Sequence, residues 1–278
     1  MTNKYQSSFK TLGPRAAQLF SELNEQRRTT FALSDVQAIT HLSPSSARNL
    51  VHKARQRGLV TRLKAGLYNL VPFELGRATE HIGSPYLIAR EVAGDTPYFL
   101  SHGTALELHR MLTQPNLTVH VSCTRRIRPQ TIGGYEYRFV LVTDAQMFGI
   151  AQHWVTKDQS VMISDMERTI IDSLRRPDLV GGITEIAKGL WMKRDSLNTE
   201  RLIYYALRLD VGAVLRRLGY LLERYAMASE SALQPLRDKL SATYQRLDPV
   251  LPQEGSFLSR WRLQLNVSPE ELDAVRLG

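Results

Sequence analysis

The chain has a single cysteine, Cys123, in 278 residues. That excludes an intrachain disulfide framework and any metal site built from several thiolates, and makes a reducing cytoplasm the expected compartment. No run reaches the length of about 18 uncharged apolar residues that a membrane helix needs. The opening MTNKYQSSFK has no apolar stretch of the signal-peptide kind. No Walker-type or dinucleotide glycine pattern occurs, since Gly181-Gly182 stands alone before a helical segment and reads as a turn. There is no internal repeat and no low-complexity tract. What remains is a soluble, cytoplasmic globular chain, 43% hydrophobic and long enough for two modest domains.

Acidic residues are scarce in one region. Residues 1–76 carry eleven Lys/Arg against four Asp/Glu, a net +7. The other 202 residues carry 25 against 23, only +2 of the total +9. A basic quarter on a balanced remainder is the asymmetry of a chain with one polyanion-binding domain.

That quarter has a clear grammar. Ala16, Leu19, Phe20 and Leu23 recur at helical spacing and predict a helix opening at Pro14. Ser34-Asp35-Val36-Gln37 fits a capping box for a short second helix ending near Thr40. Ser43 then caps a third helix with Pro44 at its first position, buried through Ala47, Leu50, Val51 and Ala54, and stopped by Gly58. LVTRL and LYNLV follow as two β-prone runs joined by Lys64-Ala65-Gly66. Three helices and a basic hairpin predict a winged helix-turn-helix over residues 1–80. Pro72 and ELGRATEHIGSP mark the passage to a mixed α+β domain, residues 81–278.

The third helix, SPSSARNLVHKARQRG, holds four Lys/Arg and one His with no carboxylate. Its outward set is Ser43, Ser45, Ser46, Arg48, Asn49, His52, Lys53, Arg55 and Arg57. In a helix-turn-helix the N-terminal end of this helix enters the major groove. Asn49 suits adenine, Arg48 guanine, and Ser45 and Ser46 either. Lys53, Arg55 and Arg57 suit phosphates, which orient without specifying. Arg62 and Lys64 on the hairpin reach the adjacent backbone or minor groove. A solvated charged face, or a protein-interaction module of the same shape, is the plainer alternative.

The second domain offers little catalytic chemistry. PYLIAREV and ALELHRML read as helices, and LTVHVS, YEYRFVLV and VMIS as strands. His102 and His109 could share a helical face but lack a third ligand. Cys123 reads as a loop thiol beside Arg125, Arg126 and Arg128. The run TRRIRPQ (124–130) is a second basic patch, either solvated or an auxiliary contact. Ser164-Asp165-Met166-Glu167 fits a capping box, which leaves Asp165, Glu167 and Asp172 as a weak candidate for a magnesium nuclease. Val214, Leu215, Leu218, Leu221, Leu222 and Tyr225 share one helix face, with Arg216, Arg217, Glu223 and Arg224 opposite. WRLQLNV alternates like a strand. Trp154, Trp191, Trp261, Tyr204, Tyr205, Tyr220 and Tyr225 read as core.

Three blocks, YFLSHGTALELHRML (98–112), VMISDMERTIIDSLRRPDLVGGITEIAKGLW (161–191) and YYALRLDVGAVLRRLGYLLE (204–223), resemble the AbiEi family of bacterial antitoxins. The SD-x-ER-T-x-x-D run (Ser164, Asp165, Glu167, Arg168, Thr169, Asp172) is the most specific part. The resemblance covers the whole chain. It implies a winged helix joined to an antitoxin domain, in a type IV toxin–antitoxin system of phage defence. It further implies autorepression at inverted repeats in the promoter and neutralisation of a cognate AbiEii-type nucleotidyltransferase-like toxin, in many members without a stable complex. It supplies no catalytic residue, so ER-T-x-x-D is expected to be scaffold: a capped helix with a buried polar contact.

The expectation is therefore a non-enzymatic, double-stranded-DNA-binding autorepressor and antitoxin. Neither cofactor nor metal is implied, and paired half-sites call for a homodimer or two cooperating copies. The alternatives are a nuclease or nucleotide-transferring enzyme guided by the winged helix, and a module that sequesters a toxin directly.

Overall fold

Pro14 sets the first turn of α1 (Pro14–Glu25), whose Ala16, Leu19, Phe20 and Leu23 are buried as the spacing predicts. The computed structural model describes residues 12–112 and 117–276. A strand, β1 (Thr30–Ala32), leads directly into α2 (Leu33–Thr40), and α3 (Pro44–Gln56) follows after His41, Leu42 and Ser43. The strands β2 (Val60–Lys64) and β3 (Leu67–Leu70) form the expected hairpin, but Lys64 lies within the strand, paired with Leu67. Ala65-Gly66 alone makes the turn, with Gly66 at φ +78°. The β1 strand pairs with β3, giving the antiparallel order β1-β3-β2. Three residues are too short for an alternation signal, so this strand exists only through its partner.

The capping of α2 differs from the expectation at Ser34. The helix starts two residues earlier, with Ala32 as its N-cap, and the Asp35 carboxylate accepts from the Ala32 N–H at 2.6 Å. Because the strand runs straight into the helix, the orphan N–H belongs to the strand's last residue. At the other end of α3, Gly58 has φ +65°, and a Cβ there would stand 2.9 Å from Thr79 Cγ2. Both the turn and the close approach require glycine. Leu19, Leu23, Phe31, Val36, Ala47, Val51, Ala54, Leu59 and Val60 close one core.

This first compact unit runs past residue 80. It extends to Asp95, through α4 (Pro85–Ala93), and takes in 130–136 and 154–161. Arg28 explains the attachment of α4: its Nη2 lies 3.0 Å from Asp35 Oδ2 and 3.2 Å from Glu91 Oε2. Polar residues at 74–84 resemble a linker, yet they lie inside the unit.

The second unit comprises 96–129, 137–153 and 162–278. From residue 96 the chain runs β4 (Tyr98–Leu100), α5 (His102–Leu108), β5 (Thr118–Cys123), β6 (Gln130–Ile132), β7 (Tyr135–Leu141), β8 (Ile150–Trp154) and β9 (Ser160–Ser164), of which β6 and the ends of β7, β8 and β9 are counted with the first unit. These strands form a six-stranded sheet, order β6-β7-β5-β4-β9-β8, most of it within this unit. Then come α6 (Met166–Arg175), α7 (Ile183–Met192), α8 (Thr199–Leu209), α9 (Gly212–Arg224) and α10 (Glu230–Asp238). The last elements are β10 (Gln245–Arg246), β11 (Ser256–Leu258), β12 (Leu263–Leu265) and α11 (Pro269–Ala274), with the small strands ordered β10-β12-β11. WRLQLNV is thus a strand only over three residues. The fold is mixed α+β, with helices and three sheets. No helix among the described residues is long and apolar enough to cross a membrane.

Several polar residues sit deeper than their spacing implies. Arg216 and Arg217 are buried, not solvated opposite the apolar face of α9. Arg217 donates to the carbonyls of Leu247 and Leu174 at 2.9 and 2.7 Å, and Arg216 Nη2 donates to those of Ser241 and Thr243, both at 3.0 Å. Backbone carbonyls of the 241–247 segment and of the last turn of α6 accept from these cations, so that both guanidinium groups find acceptors where they are buried. Gly219 on the same helix admits the Trp261 ring directly against its backbone. Trp261, Tyr220 and Tyr225 are core as expected, whereas Trp154 and Tyr204 are 59% and 56% exposed.

Candidate nucleic-acid interface

Ala47, Val51 and Ala54 turn one side of α3 inward. Helical spacing then leaves Ser45, Arg48, Asn49, His52, Lys53, Arg55 and Arg57 on the exposed side. Ser43 caps the helix: its Oγ accepts from the Ser46 N–H at 3.3 Å and donates to Ser46 Oγ at 3.0 Å. Ser45 Oγ also lies 3.1 Å from Ser43 Oγ, so Arg48 and Asn49 are the longer polar groups that this end presents.

Six of the expected residues line one concavity of about 440 Å³: Ser45, Arg48, Asn49, His52 and Arg55 from α3, and Arg62 from β2. Tyr68 of β3 completes it, its ring stacked 5.8 Å from that of Phe31. Sequence reading missed Tyr68; its place in the strand beside inward Leu67, on the opposite face by alternation, was the available signal. A neighbouring concavity of about 420 Å³ shares His52, Arg55 and Arg62 and adds Glu80, its one acid. Lys53 and Arg57 are exposed outside both. Lys64, expected to reach DNA, is half-buried and donates from Nζ to Gln130 Oε1 at 2.8 Å. Burial lowers its pKa from the ordinary lysine value. Arg62 is therefore the cation that the hairpin offers. Arg125, Arg126 and Arg128 are exposed on the loop between β5 and β6.

The groups weighed for enzymatic chemistry are held by protein partners. Asp165, not Ser164, caps α6, accepting from the Arg168 N–H at 2.7 Å and from the Tyr205 hydroxyl at 2.8 Å. Ser164 is buried in β9, with its Oγ 2.8 Å from Thr169 Oγ1. Glu167 makes no reciprocal cap; it accepts from the Asn198 N–H at 2.8 Å. Asp172 pairs with Arg168 Nε at 3.0 Å, both residues buried, so ER-T-x-x-D is a capped helix with a buried polar contact. Cys123 is not a loop thiol: it ends β5, fully buried, and donates to the Arg125 carbonyl at 3.0 Å. Burial raises its pKa, the reverse of an activated thiolate. His109 Nε2 lies 2.7 Å from the Ser164 carbonyl. Among the described residues no group of three His, Cys, Asp or Glu could hold a metal ion.

His102 is buried, with Nδ1 2.8 Å from Ser101 Oγ. Burial first, then the charges of Arg176, Arg168 and Arg175, hold its pKa down to about 3, from 6.5. The unfolded chain therefore takes up a proton below 6.5 that the folded one refuses. This contribution to stability is whole above pH 6.5 and drains away as pH falls toward 3, by about 1.4 kcal/mol per pH unit. Denaturant unfolding at pH 6 and pH 4 should lose about 2–3 kcal/mol more in the wild type than in His102→Asn. An equal loss in both proteins contradicts the neutral imidazole.

No family model and no curated protein matches the chain. Among solved structures, the crystal structure of the RV2827C protein from Mycobacterium tuberculosis is similar, at a TM-score of 0.69 and 17% identity, over 96% of each chain. At that identity the likeness speaks for the fold alone.

Proposed function

We propose that the protein is a winged-helix DNA-binding autorepressor that also acts as an antitoxin against a nucleotidyltransferase-like partner. In this reading α1–α3 are the helix-turn-helix, β1–β3 the wing, and α3 the recognition helix in the major groove. One observation carries it: Ser45, Arg48, Asn49, His52, Arg55 and Arg62 line a single exposed concavity. Short polar groups occupy the end that faces base edges, and cations the part that faces phosphates. An inverted repeat would be read by two copies, a homodimer or a pair assembled on the DNA. The antitoxin role rests on the resemblance of residues 98–112, 161–191 and 204–223. The nuclease alternative is the weaker one, because Asp165, Glu167 and Asp172 are each already committed to a cap, an N–H or an ion pair.

The test separates readout from anchoring. Asn49→Ala is expected to lower affinity for the cognate promoter duplex by about 1–3 kcal/mol while leaving random duplex unchanged. Arg55→Ala should weaken cognate and random duplexes alike. Electrophoretic mobility shifts on both duplexes measure the split, and identical profiles for the two variants reject these roles. For the antitoxin role, the neighbouring gene should encode a protein toxic alone and harmless on co-expression. Toxicity that persists would remove that half of the proposal.

A further inference from the structure

A third concavity, of about 430 Å³, lies wholly within the second unit. Arg138 reaches it from β7, and Arg175 and Arg176 from the end of α6. Val140, Leu141 and Leu179 supply apolar wall, and Leu141 is 50% exposed there. Three guanidinium groups face one carboxylate, Asp178, which holds Arg176 at 2.8 and 2.7 Å through both oxygens. Arg176 is thereby oriented, and the Arg175 side chain has no ion pair or hydrogen bond among the described residues.

Two arginines ending a helix complement its dipole, and that alone would account for Arg175 and Arg176. It does not account for a leucine left half-exposed beside the guanidinium groups that line this cavity. The positive field extends inward, because the charges of Arg176 and Arg175 count among the causes, after burial, that keep the His102 imidazole unprotonated. Convergent guanidinium groups match phosphate oxygens through paired N–H donors. The volume falls in the range of about 300–1,000 Å³ that holds small ligands. An apolar wall beside such a cluster fits a ring joined to the phosphate.

We propose that this cavity binds a mononucleotide-sized phosphate ester, its phosphate held by Arg138, Arg175 and Arg176 and its ring lying on Val140, Leu141 and Leu179. The site is separate from α3, so the DNA reading and this one stand or fall independently.

Calorimetric titration of the full chain with AMP, GMP, CMP and UMP tests it, with adenosine, inorganic phosphate and a single-stranded RNA 12-mer as comparators. At least one mononucleotide should bind at least tenfold more tightly than adenosine or inorganic phosphate. Arg175→Gln and Arg138→Gln should each weaken it at least tenfold while keeping the unliganded melting temperature. Leu141→Asp should weaken the mononucleotide but not inorganic phosphate. None of these changes should alter retention of promoter duplex. The proposal is overturned if no mononucleotide binds at millimolar concentration, if phosphate binds as well as the ester, or if the arginine variants bind as the wild type does. RNA binding tighter than any mononucleotide, with the same arginine dependence, would overturn it in favour of a polymer contact.

Discussion

Raising salt from about 50 to about 200 mM is expected to weaken promoter binding about 500-fold. Five exposed cations stand on α3 and β2: Arg48, Lys53, Arg55, Arg57 and Arg62. Each phosphate they neutralise releases condensed counterions, which contributes about −0.9 to the slope of log affinity against log salt. Five such contacts give a slope near −4.5, or about 2.7 decades over a fourfold change in salt. Lys64 is left out of that count because Gln130 holds its ammonium. Fluorescence anisotropy across a salt series measures the slope. Arg55→Ala should make it shallower by about one, and Lys64→Ala should leave it unchanged. A flat response in the wild type would mean that the charged face of α3 is merely solvated, and the DNA reading would fall with it.

Asp172→Ala is expected to destabilise the second unit by about 3–5 kcal/mol. Its partner Arg168 is fully buried, 3.0 Å away, with its guanidinium carbon 4.1 Å from the centre of the Phe148 ring. Removing the carboxylate strands a cation where water cannot reach it. The pair's own net worth is far smaller, because both charges lose their hydration on folding. The double variant Arg168→Met/Asp172→Leu should therefore recover most of the loss, since Met keeps the apolar stem against Phe148. Chemical denaturation of the three variants measures this. If Asp172→Ala is as stable as the wild type, the pair is not the hinge of this helix's packing. If the double variant is as unstable as the single one, volume and not charge is what the site needs.

The contrast between the two units shows where sequence reading ends. In the first unit α1 and α3 were legible because local chemistry and tertiary fate agree. Pro14, Pro44, Ser43 and Gly58 each act on their own turn, and the apolar spacing marks the buried face. The β1 strand was not legible, since Thr30–Ala32 is defined by its bonds to β3. In the second unit Ser164 and Glu167 satisfied the pattern of a capping box without using it. Strand β9 had already buried Ser164, and the Asn198 N–H had claimed Glu167. The candidate interface shows the same division: the exposed face of α3 follows from its stripe, but Tyr68 joins it and Lys64 leaves it through contacts from elsewhere in the chain.

Charge asymmetry, helix faces and the caps at Ser43 and Gly58 were settled by composition and spacing, because each depends on residues within one or two helical turns. Tertiary structure alone decided which polar groups would be buried. Whether Arg216 and Arg217 meet water or backbone carbonyls depends on segments up to 43 residues distant, and whether the i,i+4 pair Arg168–Asp172 is buried depends on what packs over α6. A guanidinium's tolerance of burial comes from the acceptors that surround it, and those are supplied by the folded chain.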